Sequence, residues 1–361
     1  MRNVAAAPCI ALEPDRRSAD MQSFESELRR RIIGQDHAID SLVSAFQGVR
    51  AGLVPERRPI RNFLFLGPTG SGKTRSVEAV AEILFGRPEA IIKIDCGEFQ
   101  HSHEISKLVG SPPGYIGHRE TPAMLRQARL DECHTAEWRL TLVLFDEIEK
   151  ANDALWQLLL GILDKGILTL GDGQQVDFSK TIVFMTSNLG ASEMQHAAEG
   201  PIGFVNNIGN RQENLTTIAM NAARARFSPE FINRLDEILV FQALPASQLR
   251  QVVALEIERL ESRLKRATGN EINLRLSDQA VDFLLERGTD ARYGARQIKR
   301  VLEKYLVFPF SSLIETQQMG SAGTLNVGLD RLKQKLTFCK QAMSPWMKIA
   351  SNVVAVQTLS Q

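Results

Sequence analysis

One eight-residue stretch, Gly67-Pro68-Thr69-Gly70-Ser71-Gly72-Lys73-Thr74, restricts the fold of this chain more than anything around it. It satisfies every fixed position of the pattern G-x-x-x-x-G-K-[ST]. Glycines at these places let the backbone close around an anion, with successive amide N–H groups aimed at phosphate oxygens. Lys73 supplies a point charge for β- and γ-phosphates, and the Thr74 hydroxyl is a ligand for Mg2+. The flanks agree with this reading. Phe63 to Leu66 is a short apolar run that predicts a buried strand, and Val77, Val80, Ala81 and Leu84 then recur at helical spacing until Gly86 and Pro88. A helix opening on the loop adds its positive N-terminal dipole to the anion site. A plain glycine-rich turn is the competing reading, but a chain of this length matches the pattern by chance only about once in a hundred. Nucleotide binding is the expectation.

A second site of chemistry lies some 70 residues downstream. Thr141 to Phe145 reads as a buried strand and runs into Asp146-Glu147. That places Asp146 at the carboxyl end of a strand beside the phosphate loop, where open α/β sheets bind ligands. Asp146 is expected to hold Mg2+ through water, and Glu147 to orient and deprotonate an attacking water. An acidic loop start is common after any strand; its pairing with the phosphate loop makes the catalytic reading the stronger one. Thr181 to Met185 predicts another strand, ending in Thr186-Ser187-Asn188. Asn188 is suited to bond the attacking water or the γ-phosphate, although an Asn after a strand is more often a turn residue.

The bulk properties exclude several classes. The chain has 361 residues, enough for two or three domains, with 43 basic and 42 acidic residues and a net charge of +1. No global field draws it to nucleic acid or anionic lipid. Cys9, Cys96, Cys133 and Cys339 are scattered and form no CxxC pair, which argues against a zinc site and a disulfide framework. No apolar run approaches the length of a membrane span, and Glu13 and Asp15 interrupt the AAAPCIAL stretch before it can act as a signal peptide. A cytoplasmic setting is expected. Residues 1–22 read as a loose leader, 23–243 as a large α/β domain, 244–343 as a smaller domain and 344–361 as a tail. Within the large domain a helix is expected from Pro122 to about Asp131, and 190–212 reads as a glycine-rich loop. In the smaller one, 246–267 predicts a long helix, 271–276 a strand and 324–338 a strand pair.

The order and spacing of RIIGQDHAI, RAGL followed by RPI, GPTGSGKT, LVGSPPGYIG, LFDEIEKA, DGQQVDF, MTSNLG, FSPEFINRLDEILVF and YGARQIKR resemble the second ATPase module of the Clp unfoldases, a branch of the AAA+ superfamily. The resemblance covers residues 31 to about 340. It implies a P-loop NTPase fold with a five-stranded parallel sheet followed by a smaller, mostly helical lid domain, and it implies ATP and Mg2+ as cofactors. It also implies Ile32 and Ile33 at the adenine, Asn188 as the γ-phosphate sensor, and Arg296 as the lid arginine that closes on the phosphates. Arg234 would complete a neighbouring subunit's site, which requires a homo-oligomer, a ring of six. Gly114-Tyr115-Ile116-Gly117 would be a pore loop that grips protein substrates. Ile202-Gly203-Phe204 matches the tripeptide with which some members dock on a Clp-type peptidase; the same residues would equally serve to pin a long loop to the body.

The implied activity is ATP-dependent unfolding and translocation of proteins. An ATP-driven assembly or regulatory switch that binds partners without threading them is the alternative, and a DNA-handling ring is disfavoured by the neutral charge and the Tyr-Ile pair. The chain departs from the family in three ways. Within these 361 residues no N-terminal substrate domain or additional ATPase module of the larger members is expected. His118-Arg119-Glu120-Thr121-Pro122 replaces the usual acidic, glycine-containing stretch after the pore tyrosine, and the segment from Tyr115 to Asp146 is longer than the family norm.

Overall fold

The computed structural model describes residues 13–14, 16–111, 123–199, 208–288, 294–318, 323–330 and 332–340. The expected pore loop at Gly114–Gly117 and the Ile202–Phe204 tripeptide lie outside the described residues. The chain opens with helices α1 (Ala19–Arg31) and α2 (Asp36–Arg50), then strand β1 (Arg61–Leu66), α3 (Lys73–Phe85) and β2 (Ile92–Asp95). Two short helices, α4 (Ser106–Val109) and α5 (Gln127–Asp131), precede β3 (Thr141–Asp146) and α6 (Asp153–Lys165). A hairpin, β4 (Ile167–Thr169) and β5 (Gln175–Asp177), leads to β6 (Thr181–Ser187), α7 (Ala191–Glu199), α8 (Ile208–Arg226), α9 (Pro229–Asn233) and β7 (Glu237–Val240). The smaller unit follows: α10 (Ala246–Thr268), β8 (Ile272–Leu276), α11 (Asp278–Gly288), α12 (Ala295–Leu302), α13 (Phe308–Glu315), β9 (Gly323–Asp330) and β10 (Lys335–Lys340).

Five strands form one parallel sheet in the order β2-β3-β6-β1-β7. A parallel sheet needs both faces covered, and alternation along each strand divides the side chains accordingly. Phe63, Phe65, Leu142, Leu144, Ile182 and Phe184 pack with α1, α2 and α3. Leu64, Leu66, Val143, Phe145, Val183 and Met185 face the opposite way, against α6 and α8. Phe184 sits at the centre of the first face. Its ring stacks on Phe63 at 5.4 Å with an interplanar angle of 10°, and lies 5.6 Å from Phe65, which in turn meets Phe241 at 4.9 Å. The smaller unit has its own core, with Leu249, Val253, Phe283, Ile298, Phe310 and Val327 among its buried residues. Three of its helices cover a sheet in which β8 pairs parallel to β9 and β9 antiparallel to β10.

The structure corrects the sequence reading in three places. Helix α1 begins at Ala19, inside the expected leader, because the Ser18 hydroxyl caps the Met21 amide and Met21 is buried. The expected loop at 190–212 contains α7 and the first turn of α8; ASEMQHAAE is rich in good helix formers, and the glycines flanking it misled the reading. The expected helix from Pro122 shrinks to α5. Met124 and Leu125 instead donate their amides to the carbonyls of Lys107 and Leu108, which holds that backbone in a non-helical bend beside α4.

Phe184→Ala removes the ring that packs on two aromatic neighbours, Phe63 and Phe65, and a cost of about 3–5 kcal/mol is expected. Chemical denaturation of the large domain measures it; a loss below about 1 kcal/mol would show that the stack is not central to the core.

Candidate active site

The phosphate loop joins β1 to α3, and its shape follows from left-handed backbone at Gly67 (φ 136°), Gly70 (78°) and Gly72 (102°). Gly67 is further constrained by its neighbour: a Cβ there would lie 2.2 Å from the Phe241 carbonyl oxygen, since Phe241 N–H donates to Leu66 O at 2.7 Å. Gly72 then caps α3, which puts Lys73 and Thr74 in the first helical turn. Lys73 is buried. Its Nζ donates to Gly67 O at 2.6 Å, Pro68 O at 2.9 Å and Asn188 Oδ1 at 2.9 Å. Burial brings its pKa down to about 8, against the opposing pull of Glu149, Asp146 and Glu147.

Register places β3 and β6 with their carboxyl ends beside this loop, and the acidic and polar groups meet there. Thr74 Oγ1 donates to Asp146 Oδ1 at 3.2 Å. Asp146 also accepts from the Thr186 hydroxyl and forms an ion pair with Lys93 at 2.9 Å. Burial acts to raise the Asp146 carboxyl, but the bonds from Thr186, Lys93 and Thr74 outweigh it and hold the group below the usual carboxylate range. Glu147 adopts left-handed backbone (φ 57°), uncommon for a side chain of its size. Its amide donates to Thr186 Oγ1 at 3.0 Å. This turn directs Glu147 toward Asn188, whose Nδ2 donates to Glu147 Oε1 at 3.3 Å, while Lys150 binds the other carboxylate oxygen. Asn188 thus links Lys73 to Glu147.

These groups line a cleft of about 390 Å³ between the large and small units. Ile32 and Ile33 form part of one wall, and Leu244, Val252, Leu255, Arg259 and Arg296 enter from the small unit. The small unit approaches the phosphate loop directly: Ala295 N–H donates to Gly70 O at 3.3 Å, and a Cβ on Gly294 would stand 3.0 Å from Thr69 O. Arg234 lies elsewhere. It caps the end of α9 and pairs with Asp164 at 2.7 Å, outside the cleft lining. Three contributors escaped the sequence reading. Lys93 faces Asp146, and Thr186 ties β6 to β3. Gln35, buried, donates to Ser71 O at 3.0 Å and Gln242 O at 2.9 Å, joining the loop to the connection between the two units. Its partners lie 36 and 207 residues away, so no local pattern marks it.

The arrangement fits a nucleoside triphosphate. A buried ammonium, the backbone of Thr69 to Gly72 and a hydroxyl–carboxylate pair line the same cleft, with apolar Ile32, Ile33 and Leu244 available to a base. Thr74 and Asp146 would hold Mg2+. With the phosphates present, Lys73 gains counter-charges and its pKa rises, so binding takes up protons near pH 8. Affinity is expected to fall as pH rises past about 8, by up to about tenfold per unit. Titration calorimetry in buffers of different ionisation enthalpy reads the uptake directly; binding with no proton uptake at pH 8 would show that Lys73 keeps its full charge in the free protein.

Comparison with known proteins agrees with this geometry. The profile of the AAA domain (Cdc48 subfamily) matches residues 58–238, and that of the C-terminal, D2-small domain of ClpB matches residues 244–327. The chain is 39% identical over 320 residues to chaperone protein ClpB 1 of Thermosynechococcus vestitus, covering 88% of this chain and 34% of that protein. It is 38% identical over 311 residues to the probable chaperone protein ClpB 1 of Chlorobaculum tepidum, covering 85% and 67%. With the ATP-dependent Clp protease ATP-binding subunit ClpC of Staphylococcus aureus it shares 39% identity over 297 residues, covering 82% and 35%. The Saccharomyces cerevisiae Hsp104:casein complex in its extended conformation superposes with a TM-score of 0.75 at 31% identity, covering 89% of this chain and 53% of that one. The chain thus spans about a third of the length of most of these curated relatives. Among the described residues no helix is long and apolar enough to cross a membrane. Its sheet, its phosphate site and both profiles place the chain in the AAA family of ATPases, within the Clp chaperones.

Proposed function

We propose that the protein is a Mg2+-dependent ATPase that works as a homo-oligomeric ring of six and pulls protein substrates through its pore. The observation that carries the reading is the convergence of Lys73, Thr74, Asp146, Glu147 and Asn188 in one cleft that the small unit closes with Arg296. Substrate proteins are further supported by the company the chain keeps: the Hsp104 neighbour is a complex with casein, and two of the three relatives above are named chaperones, the third a Clp protease subunit.

The residues divide the work of hydrolysis. Loop amides and Lys73 bind the phosphates and offset the charge that builds on them. Bound Mg2+, held by Thr74 and Asp146, would supply further neutralisation of that charge. Glu147 accepts the proton of the attacking water, and Asn188, bonded to both Lys73 and Glu147, keeps base and phosphate in register. Arg296 senses the phosphates from the small unit, so closure of the cleft depends on what is bound. Arg234 lies too far round the domain to serve its own cleft, and it would act on a neighbour's nucleotide. A trans arginine is worth ~10³–10⁵ in rate, about 4–7 kcal/mol of barrier. Gly114-Tyr115-Ile116-Gly117 would present an apolar paddle to the substrate. Ile202-Gly203-Phe204 would dock the ring on a Clp-type peptidase, six copies multiplying a weak contact.

Glu147→Gln is expected to bind ATP and hydrolyse it at least a hundredfold more slowly. Single-turnover hydrolysis measures this, and undiminished turnover removes Glu147 from its role. Tyr115→Ala is expected to leave basal ATPase within about twofold while abolishing ATP-driven unfolding of a tagged, folded reporter; equal loss of both would assign Tyr115 to the structure. Deleting residues 202–204 is expected to end co-migration with the peptidase and spare unfolding. A deletion that lowers the melting temperature and every activity together would make the segment part of the core.

A further inference from the structure

The surroundings of Arg234 carry an observation that the hydrolytic site does not use. Asn62, the second residue of β1, is completely buried. Its Nδ2 donates to two carbonyls, Arg234 O at 3.1 Å and Leu163 O at 3.3 Å. Those carbonyls belong to the arginine itself and to the residue before Asp164, which pairs with the guanidinium at 2.7 Å. One amide therefore grips the backbone on both sides of the ion pair. The main chain of Asn62 extends the clasp: its N–H donates to Asp236 Oδ2 at 2.8 Å, and its carbonyl accepts from Asp236 N–H at 3.0 Å. Arg58 pairs with the other Asp236 oxygen at 2.8 Å.

We propose that Asn62 and Asp164 are positioning residues for Arg234, the amide fixing the arginine's backbone and the carboxylate presenting its guanidinium outward. The inference rests on the trans role of Arg234 given above. Two features separate it from plain core packing. Asn62 Oδ1 is buried without a partner, a loss that an apolar residue at the same place would avoid. And the end of the arginine it holds is not sequestered: although its Nε is buried, the side chain is 35% exposed, and its second carboxylate, Glu230, stands off at 3.7 Å. A half-exposed ion pair of this kind is weak, so a neighbour's phosphates displace Asp164 readily. Until they arrive, the pair restricts the rotamers of a long side chain, and less freedom is lost on engagement.

A mixed-ring experiment separates donor from acceptor. Glu147→Gln subunits keep Arg234 but have a dead site; Arg234→Ala subunits keep a live site but lack the arginine. Mixing the two is expected to recover hydrolysis where a donor faces an acceptor. Asn62→Leu, added to the donor, is expected to lower the recovered kcat at least tenfold, with KM and the donor's own ATP affinity changed less than twofold. Asn62→Ser keeps one hydroxyl donor and a smaller volume; its expected loss is two- to fivefold, and it provides the reading should the leucine variant fail to fold. Asp164→Ala in the donor is expected to lower recovered kcat three- to tenfold. Recovery that ignores all three substitutions overturns the proposal. So does a rate that rises with Asp164→Ala, since the carboxylate would then restrain the arginine, and so does loss of the donor's own ATP binding. Failure of the parent mixture to recover any activity refutes the trans role of Arg234 itself, and the positioning role falls with it.

Discussion

A buried ammonium at the end of a parallel sheet organises this molecule. Lys73 has left water and is held by carbonyls of its own loop and by Asn188. Neutral acceptors only partly replace hydration, which is why its proton is held less tightly than that of an exposed lysine. Three carboxylates pull the other way, Glu149 most strongly, and the other two are engaged by further groups. Asp146 is bonded to Thr186, Lys93 and Thr74, and Glu147 to Lys150 and Asn188. The protein thus maintains a positive charge short of counter-charge inside a cleft. An anionic ligand would complete that environment.

Coupling to the small unit follows from close backbone approaches. Gly67 lies against Phe241 O and Gly294 against Thr69 O, so the phosphate loop is sandwiched between the strand that leads into the small unit and the turn that opens α12. Gln35 joins two of these places, the phosphate loop and the connection after β7, by bonding Ser71 O and Gln242 O. None of these contacts has slack for a side chain. These contacts tie the position of the phosphate loop to that of the small unit, which carries Arg296.

How much of this is legible in the chain depends on sequence separation. The phosphate loop and the acidic pair are written in consecutive residues, because a turn that binds an anion and a strand that ends in carboxylates are local structures. The sheet's strands are legible for the same reason: Phe63–Leu66, Thr141–Phe145 and Thr181–Met185 are apolar on both faces. Gln35, Lys93 and Asn62 are not, since each acquires its meaning from a partner brought alongside by the fold; for Asn62 and Arg234 the separation is 172 residues. Helix α7 is a local structure too, built of good helix formers with Met194 buried, but the glycines on either side of it carry the signature of a loop.

Strand β1 ties the two halves of the chemistry together. Its carboxyl end becomes the phosphate loop at Gly67, and its second residue, Asn62, clasps Arg234. At about 3.3 Å per residue the two ends of that run stand ~16 Å apart. An arginine seated at the start of the strand therefore lies well away from phosphates bound at its end, and it serves another copy's nucleotide or none. The strand between is buried on both faces and paired on both edges, with β6 and β7, so it does not flex. Whatever displaces Arg234 from Asp164 acts on a rigid rod whose far end is the subunit's own phosphate loop. In the proposed ring, communication between subunits would require no dedicated relay of side chains, because one strand touches both the phosphate loop and Arg234.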